Sequence, residues 1–393
     1  MADPLRLFDP EKPLQVDRDP VAQWLDWEQQ ANLAGFRTST KPVLVDVALV
    51  PRSELEIYVL PRAPQEIVER FVGPELVCFP RHPLNRDVSV AYFDAPVQQR
   101  WTARFTSSRT LAMPGRESGE ALFSLKLATD HPHPDFVQPE KTKLRSEAIG
   151  VVDWVRVIDR VDRALGPLDD VSLVTEVLVV LVAGGESGFM VRDLRIFQDG
   201  HYYLPGLSLP FVGRQIALAA GQDFATLWGR YFAQAIGRAK ARLLARYGLW
   251  YETPNPQNVV VQLDRALRPT GRLLFRDIGD CECSTDSHAQ PPTDAPWTRM
   301  HTALRPETRT SFWAFGESGE LSIDAETLER WYALHDDAYF GELATWFPEL
   351  APAAGVRGEA RHSAWSERLV GDAAMPAIAH TFSRFRAERG PGA

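Results

Sequence analysis

Two groups of residues in this chain are of the types that handle phosphate and a divalent cation. One runs from Glu252 through Asn255 to Gln257 and Asn258 and resumes at Arg276-Asp277. Glu252 and Asp277 bring the negative charge that Mg²⁺ requires, while Asn255, Gln257 and Asn258 offer neutral amide oxygens and donors. The other group lies upstream and is cationic: Thr106-Ser107-Ser108-Arg109-Thr110, Leu125-Lys126-Leu127 and Thr142-Lys143-Leu144-Arg145. Arginine presents a planar fork to phosphate or carboxylate, and lysine a compact point charge. Fixed cations such as Arg109, Lys126 and Arg145 suit phosphate and the charge that grows on a phosphoryl group under attack. His82, in Phe79-Pro80-Arg81-His82-Pro83, is the candidate for a base.

Such groups must be held by regular structure. From Asp223 to Tyr247 the apolar positions Phe224, Leu227, Trp228, Tyr231, Ala235, Ala239 and Leu243 recur at three- and four-residue steps, predicting one long helix capped by Asp223 and stopped at Gly248. A polar loop leads from there to a hairpin of Val259–Leu263 and Arg272–Phe275, turning at Pro269-Thr270-Gly271. Dense Val, Leu, Ile and Tyr predict strands over Pro42–Val50, Leu55–Leu60, Val88–Phe93, Trp101–Phe105 and Leu122–Ala128. An amphipathic helix with Trp24, Leu25 and Trp27 precedes them, and helices at Asp324–Asp336 and Ala373–Glu388 follow. The organisation expected is α+β: an N-terminal arm over residues 1–40, a sheet-rich phosphate-binding region over 41–215, and a largely helical region over 216–393 carrying the Gln-Asn loop and the Arg-Asp hairpin.

Composition narrows the class. The 393 residues are 45% apolar and 24% charged, as in globular proteins, and are enough for more than one domain. A formal net charge of −9 argues against nucleic acid or an anionic membrane as partner and confines anion binding to a local pocket. Three cysteines, Cys78, Cys281 and Cys283, suit neither a disulfide framework nor a four-ligand zinc site, and together with an N-terminus that lacks a signal-like apolar run they point to the cytoplasm. No apolar run is long enough to span a bilayer. The histidines of Asp130-His131-Pro132-His133-Pro134-Asp135 are stiffened by two prolines and lack a third ligand pattern, so they read as loop. Fingerprints of serine hydrolases, zinc proteases and Rossmann oxidoreductases are missing.

Taken in order, the His-Pro element at His82, Ser107 to Thr110, Lys126, Thr142 to Arg145, Gly188 to Arg192, and Tyr247 to Asn258 leading to Asp277 resemble the motifs of the NRPS-independent siderophore synthetases, the IucA/IucC-like enzymes. The resemblance covers roughly residues 75–280. It implies a cradle of sheet-rich fingers and helical palm, and an ATP- and Mg²⁺-dependent ligase that activates a carboxylic acid as an acyl-adenylate and passes it to an amine or alcohol. Under it, Ser107, Arg109, Lys126, Gln257, Asn258 and Asp277 contact nucleotide, and Asp277, Asn258 and Glu252 attend the metal. Arg145 and His82 serve substrate and catalysis, with Lys126 also catalytic. Where that family usually has a histidine, two residues before the Gln-Asn pair, this chain has Asn255, a substrate position that leaves the acid open. Dimers are common in the family, so a homodimer is among the expectations. Two other readings of the residues stay open: a kinase-like small-molecule phosphotransferase, built on Asn258 and Asp277 around two short strands, and a non-catalytic nucleotide- or metabolite-binding relative.

Overall fold

The computed structural model describes residues 7–36, 41–85, 91–92, 94–113, 122–129, 145–247, 249–251, 255–283, 310–316 and 321–346. The chain divides into two units, the first of Met1–Gly221, Pro256–Gly279 and Glu317–Ser322, the second of Gln222–Asn255, Asp280–Gly316 and Ile323–Ala393.

In the first unit, β1 (Val43–Pro51), β2 (Leu55–Val59), β3 (Leu76–Pro80), β4 (Gln99–Phe105), β5 (Thr110–Met113), β6 (Phe123–Leu127), β8 (Glu176–Val182) and β9 (Gly188–Asp193) form one sheet. Its order is β2-β8-β9-β6-β5-β4-β1-β3, antiparallel throughout. The two-residue period decides what each face carries. Phe123, Leu125 and Leu127 of β6 enter a core with Val47, Phe105, Leu111 and Val191, which sends Ser124 and Lys126 to the other face. On that face Ser124 lies opposite Arg192 of β9, and Arg192 lies opposite Glu176 of β8. Gly188 permits the tight β8–β9 approach, since a Cβ there would stand 2.2 Å from the Val180 carbonyl oxygen.

A second sheet runs β10 (Tyr202–Pro205), β12 (Val259–Leu263), β13 (Pro269–Arg276) and β7 (Val171–Val174), with β13 and β7 parallel. Over it lies α1 (Pro20–Phe36), entered through Asp19, whose carboxylate accepts the Val21 N–H at 2.9 Å with proline at the first helical position. Trp24 stacks on Phe197 at 4.5 Å and packs with Tyr203, Val260 and Leu274, so this helix is built into the core. The unit's remaining helices are α2 (Gln65–Phe71), α3 (Arg145–Leu165) and α4 (Arg214–Ala219).

In the second unit, α5 (Phe224–Trp228) passes through a π-helical turn at Gly229–Ala233 into α6 (Gln234–Tyr247), and α7 (Ala325–Trp346) packs along them. Asp223 caps as expected, accepting the Thr226 N–H at 2.7 Å. Phe232, Phe312, Phe315 and Trp331 fill the centre. Short strands β11 (Leu249–Trp250) and β14 (Glu282–Cys283) pair antiparallel.

The architecture is α+β, with the expected strands other than Val88–Phe93, and the Asp324 helix, in place. Two local expectations need correction. The β12–β13 turn falls at residues 264–268, where the Asp264 carboxylate accepts the N–H groups of Ala266 and Arg268 at 2.8 and 2.9 Å. Pro269 to Gly271 already belong to β13, and Gly271, at φ +92°, sits where the register slips. Of the strand expected over Val88–Phe93, Ala91 and Tyr92 form a turn and the rest lies outside the described residues, as do Gly248, the helix expected at Ala373–Glu388 and the histidines at 131 and 133.

Candidate active site

The first unit joins one residue of the cationic group to one of the acidic group. Lys126 Nζ lies 2.6 Å from Asp277 Oδ1, between residues of two different sheets. The lysine comes from the polar face of central strand β6 and is 8% exposed; the aspartate follows the last residue of β13 and is 23% exposed, which leaves its carboxylate the open side of the pair. Asp277 has φ +68°, the left-handed region that side chains with a Cβ adopt at a cost of about 1 kcal/mol or more. Hydrogen bonds from its neighbours must therefore hold it.

They do so through Arg276 and Gln257. The Arg276 Nε–H donates to the Gln257 carbonyl at 3.0 Å, tying the end of β13 to the short helical turn Pro256–Asn258 that opens β12. The same guanidinium pairs with Glu28 of α1, a fully buried carboxylate. Gln257 donates its side-chain amide to Asn32 Oδ1 at 2.9 Å, and Asn32 donates back to the Glu28 carbonyl oxygen at 2.8 Å. Burial raises the Glu28 pKa, and the charge and hydrogen bonds of Arg276 act against that rise.

The loop from Thr106 to Arg109, between β4 and β5, is held from several sides. The Thr106 and Ser107 N–H groups donate to the Thr110 carbonyl at 2.8 and 3.2 Å, the Thr110 N–H donates to the Ser107 hydroxyl at 3.1 Å, and the Arg109 carbonyl accepts from Leu127 at 3.1 Å. Arg109 therefore sits at the edge of the strand that carries Lys126, with a side chain that is partly exposed.

His82, the expected base, has both ring nitrogens in hydrogen bonds. Its Nδ1 accepts the Leu84 N–H at 3.2 Å and stands 3.2 Å from the Thr129 hydroxyl, which fixes the proton on Nε2, and Nε2–H donates to the Ser108 carbonyl at 2.9 Å. At 3% exposure, with its lone pair already engaged, the ring is a brace for the Ser107 loop.

The remaining expected positions are less closely joined. Asn258 is half-buried at the start of β12 and makes no side-chain hydrogen bond among the described residues. Asn255 ends a segment of the second unit, and Arg145 opens α3 with its side chain outside the described set. Glu252 lies outside the described residues. Gln257, expected against nucleotide, directs its amide N–H to Asn32. Sequence reasoning missed Glu28, Asn32, Thr129 and Glu176. One signal was available: Glu28 and Asn32 continue the four-residue spacing from buried Trp24, so two polar side chains fall on the apolar stripe of α1.

For Mg²⁺, which keeps water and phosphate oxygens and takes one or two carboxylates from protein, the donor types suit: Asp277, just after β13, as the carboxylate and Asn258, just before β12, as the neutral oxygen. Among the described residues no group of three or more His, Cys, Asp or Glu could hold a metal ion.

No family model matches the sequence, and no curated protein matches it. Solved structures do. ATP-bound aerobactin synthetase IucA from a hypervirulent pathotype of Klebsiella pneumoniae aligns with a TM-score of 0.51 at 13% identity, over 87% of this chain and 70% of that one. Aerobactin synthetase IucC from the same pathotype gives 0.47 at 15% identity, over 88% and 65% of the two chains. The petrobactin biosynthesis protein AsbB from Bacillus anthracis gives 0.47 at 15%, over 88% and 63%. The chain thus has the fold of a siderophore synthetase, as the order of its motifs implies.

Proposed function

We propose that this protein is an ATP-dependent ligase of the siderophore-synthetase type, which activates a carboxylic acid as an acyl-adenylate and transfers it to an amine or alcohol. The observation that carries the reading is the Lys126–Asp277 pair: residues 151 apart in sequence, expected at phosphate and at nucleotide and metal, meet at 2.6 Å in a fold shared with an ATP-bound synthetase.

The chemistry follows from that pair. Lys126 is nearly buried and needs an anionic partner; Asp277 provides it in the free protein, and an incoming phosphate offers a second. With nucleotide bound, Mg²⁺ would lie against Asp277 and Asn258 and supply charge neutralisation on the phosphate oxygens. Lys126, Arg109 and Arg145 would then counter the charge that develops as the substrate carboxylate attacks the α-phosphate and pyrophosphate departs. Ser107 would donate its hydroxyl to a phosphate oxygen, its oxygen already being aligned by the Thr110 N–H. His82 keeps that loop in place, and the proton of the acceptor amine passes to another base or to water. Asn255 would bear on the choice of acid, since a neutral amide makes weaker demands on a carboxylate than a histidine does.

The test is nucleotide product analysis with ATP, Mg²⁺ and a panel of carboxylic acids, with hydroxylamine as the trap. Acid-dependent AMP and pyrophosphate, together with a hydroxamate, are expected. Lys126→Ala should lower that turnover by about a hundredfold or more, as loss of a group stabilising transition-state charge does, with the far-ultraviolet spectrum retained. ADP with a phosphorylated product, or no turnover with any acid, would overturn the reading.

A further inference from the structure

We infer that α1 contributes positioning residues to the nucleotide and metal side of this site, with Glu28 and Asn32 fixing Asn258 and Asp277 from beneath; the inference rests on the ligase reading above.

Four side chains form a closed circuit. Glu28 pairs with Arg276, Arg276 donates to the Gln257 carbonyl, Gln257 donates to Asn32, and Asn32 returns to Glu28 through its carbonyl oxygen at 2.8 Å and its carboxylate at 3.3 Å. Glu28, Asn32 and Arg276 are 0%, 1% and 7% exposed. A buried charged circuit of this kind is retained at a desolvation cost, and the packing of α1 on β10 would be served as well by apolar side chains. Its location supplies a reason. Gln257 immediately precedes Asn258, and Arg276 immediately precedes Asp277, so the circuit grips the two residues next to the proposed metal donors. It also grips the backbone at the one point in this region where a non-glycine residue has φ +68°. Without such a grip Asp277 would relax toward ordinary backbone angles and its carboxylate would leave both Lys126 and the end of β12.

The geometry separates the two α1 residues by severity. Removing Glu28 leaves the Arg276 guanidinium buried without its counter-charge and threatens folding. Removing the Asn32 side chain loosens only the Gln257 corner, so Asn32→Ala is the informative variant and Asn32→Asp, which keeps the acceptor for Gln257 and loses the donors to Glu28, is its companion.

The experiment measures two things on the wild type, both variants and Asp277→Asn. The first is Mn²⁺ affinity by electron paramagnetic resonance in the presence of α,β-methylene ATP, where no turnover occurs. The second is the Mg²⁺ dependence of acid-dependent AMP formation. Asn32→Ala is expected to weaken Mn²⁺ binding by about tenfold, the loss typical of partners that orient metal ligands. Its AMP formation should recover as Mg²⁺ is raised, with the KM for the acid unchanged, and Asn32→Asp, which sets a second carboxylate against buried Glu28, should be impaired at least as much as Asn32→Ala. If Asn32→Ala lowers thermal stability while Mn²⁺ affinity and Mg²⁺ dependence match wild type, the residue is structural and the inference is wrong, with the ligase reading intact. If the wild type forms no AMP with any acid and binds no Mn²⁺ with the analogue, the ligase reading fails and the inference fails with it.

Discussion

Acidification should unfold the second unit through one side chain. His335, on α7, is fully buried between Phe312 and Tyr339, and its Nδ1–H donates to Asp336 Oδ1 at 3.0 Å. Its Nε2 has no hydrogen-bond partner among the described residues, so a proton added there would meet no acceptor among them. Burial lowers its pKa from 6.5 to about 4; Asp336 opposes that shift and the charge of Lys240 adds to it. A histidine whose folded pKa lies below its unfolded value destabilises the fold as pH falls, because the unfolded state takes up the proton first. The loss begins near the unfolded pKa of 6.5 and levels off once pH passes the folded value of about 4. The 2.5-unit difference gives a ceiling of about 3 kcal/mol, of which about 2 kcal/mol is lost between about pH 7 and about pH 5, before most carboxylates titrate. The assay is hydrogen exchange by mass spectrometry on peptides of α6 and α7, corrected for the intrinsic pH dependence of exchange, alongside urea melts across the same range. His335→Phe keeps an aromatic ring between Phe312 and Tyr339 and removes the titration, so its protection should be flat where that of the wild type falls about thirtyfold. Equal declines in the two proteins would refute the reasoning.

Two further substitutions test packing at named points. Gly237→Ala should destabilise the second unit by about 2 kcal/mol or more in a chemical melt, because overpacking between two helices outweighs the gain in helix propensity, about 1 kcal/mol; a Cβ at that position would lie 2.2 Å from the His335 carbonyl oxygen. A stability equal to or above wild type would show that α6 and α7 separate freely. Glu176→Ala should lower the stability of the first unit by about 3 kcal/mol by breaking a buried ion pair, since the Glu176 and Arg192 side chains meet at 2.6 Å with 1% and 8% exposure. The double substitution Glu176→Leu with Arg192→Leu should recover most of that loss, and a double variant no better than the single one would count against a pairwise origin.

The fold and the site differ in how far their sequence exposes them. Of the eight strands of the large sheet, β1, β2, β4 and β6 were readable because each carries its own signal: β6 alternates Phe123, Leu125 and Leu127 with Ser124 and Lys126, and two residues per period suffice to assign faces. The long helix of the second unit was readable for the same reason, and its cap because Asp223 acts on a group three residues away. The turn at residues 264–268 was missed because Pro269-Thr270-Gly271 carries the stronger turn composition, while the bond network that makes the real turn belongs to Asp264. The surroundings of His82 were not legible because a ring's chemistry is set by what meets its two nitrogens, and those partners, Leu84, Ser108 and Thr129, lie between 2 and 47 positions along the chain.

The Lys126–Asp277 pair shows where local reading stops. A lysine at the centre of a sheet is a conflict between burial and charge that sequence alone can register only as a polar residue in an apolar strand. What resolves the conflict is an aspartate from another sheet, whose position depends on the register of β12 with β13 and on a left-handed residue at its end. That residue is in turn adjacent to an arginine bound to the N-terminal helix. The apparent faults in each segment, Lys126 in a core strand, Glu28 on an apolar stripe and Asp277 at positive φ, are therefore linked through the folded chain. Under the proposed function, Lys126 and Asp277 place charges for phosphate and metal while Glu28 positions the second of them through Arg276, so one site accounts for three departures that would otherwise be independent.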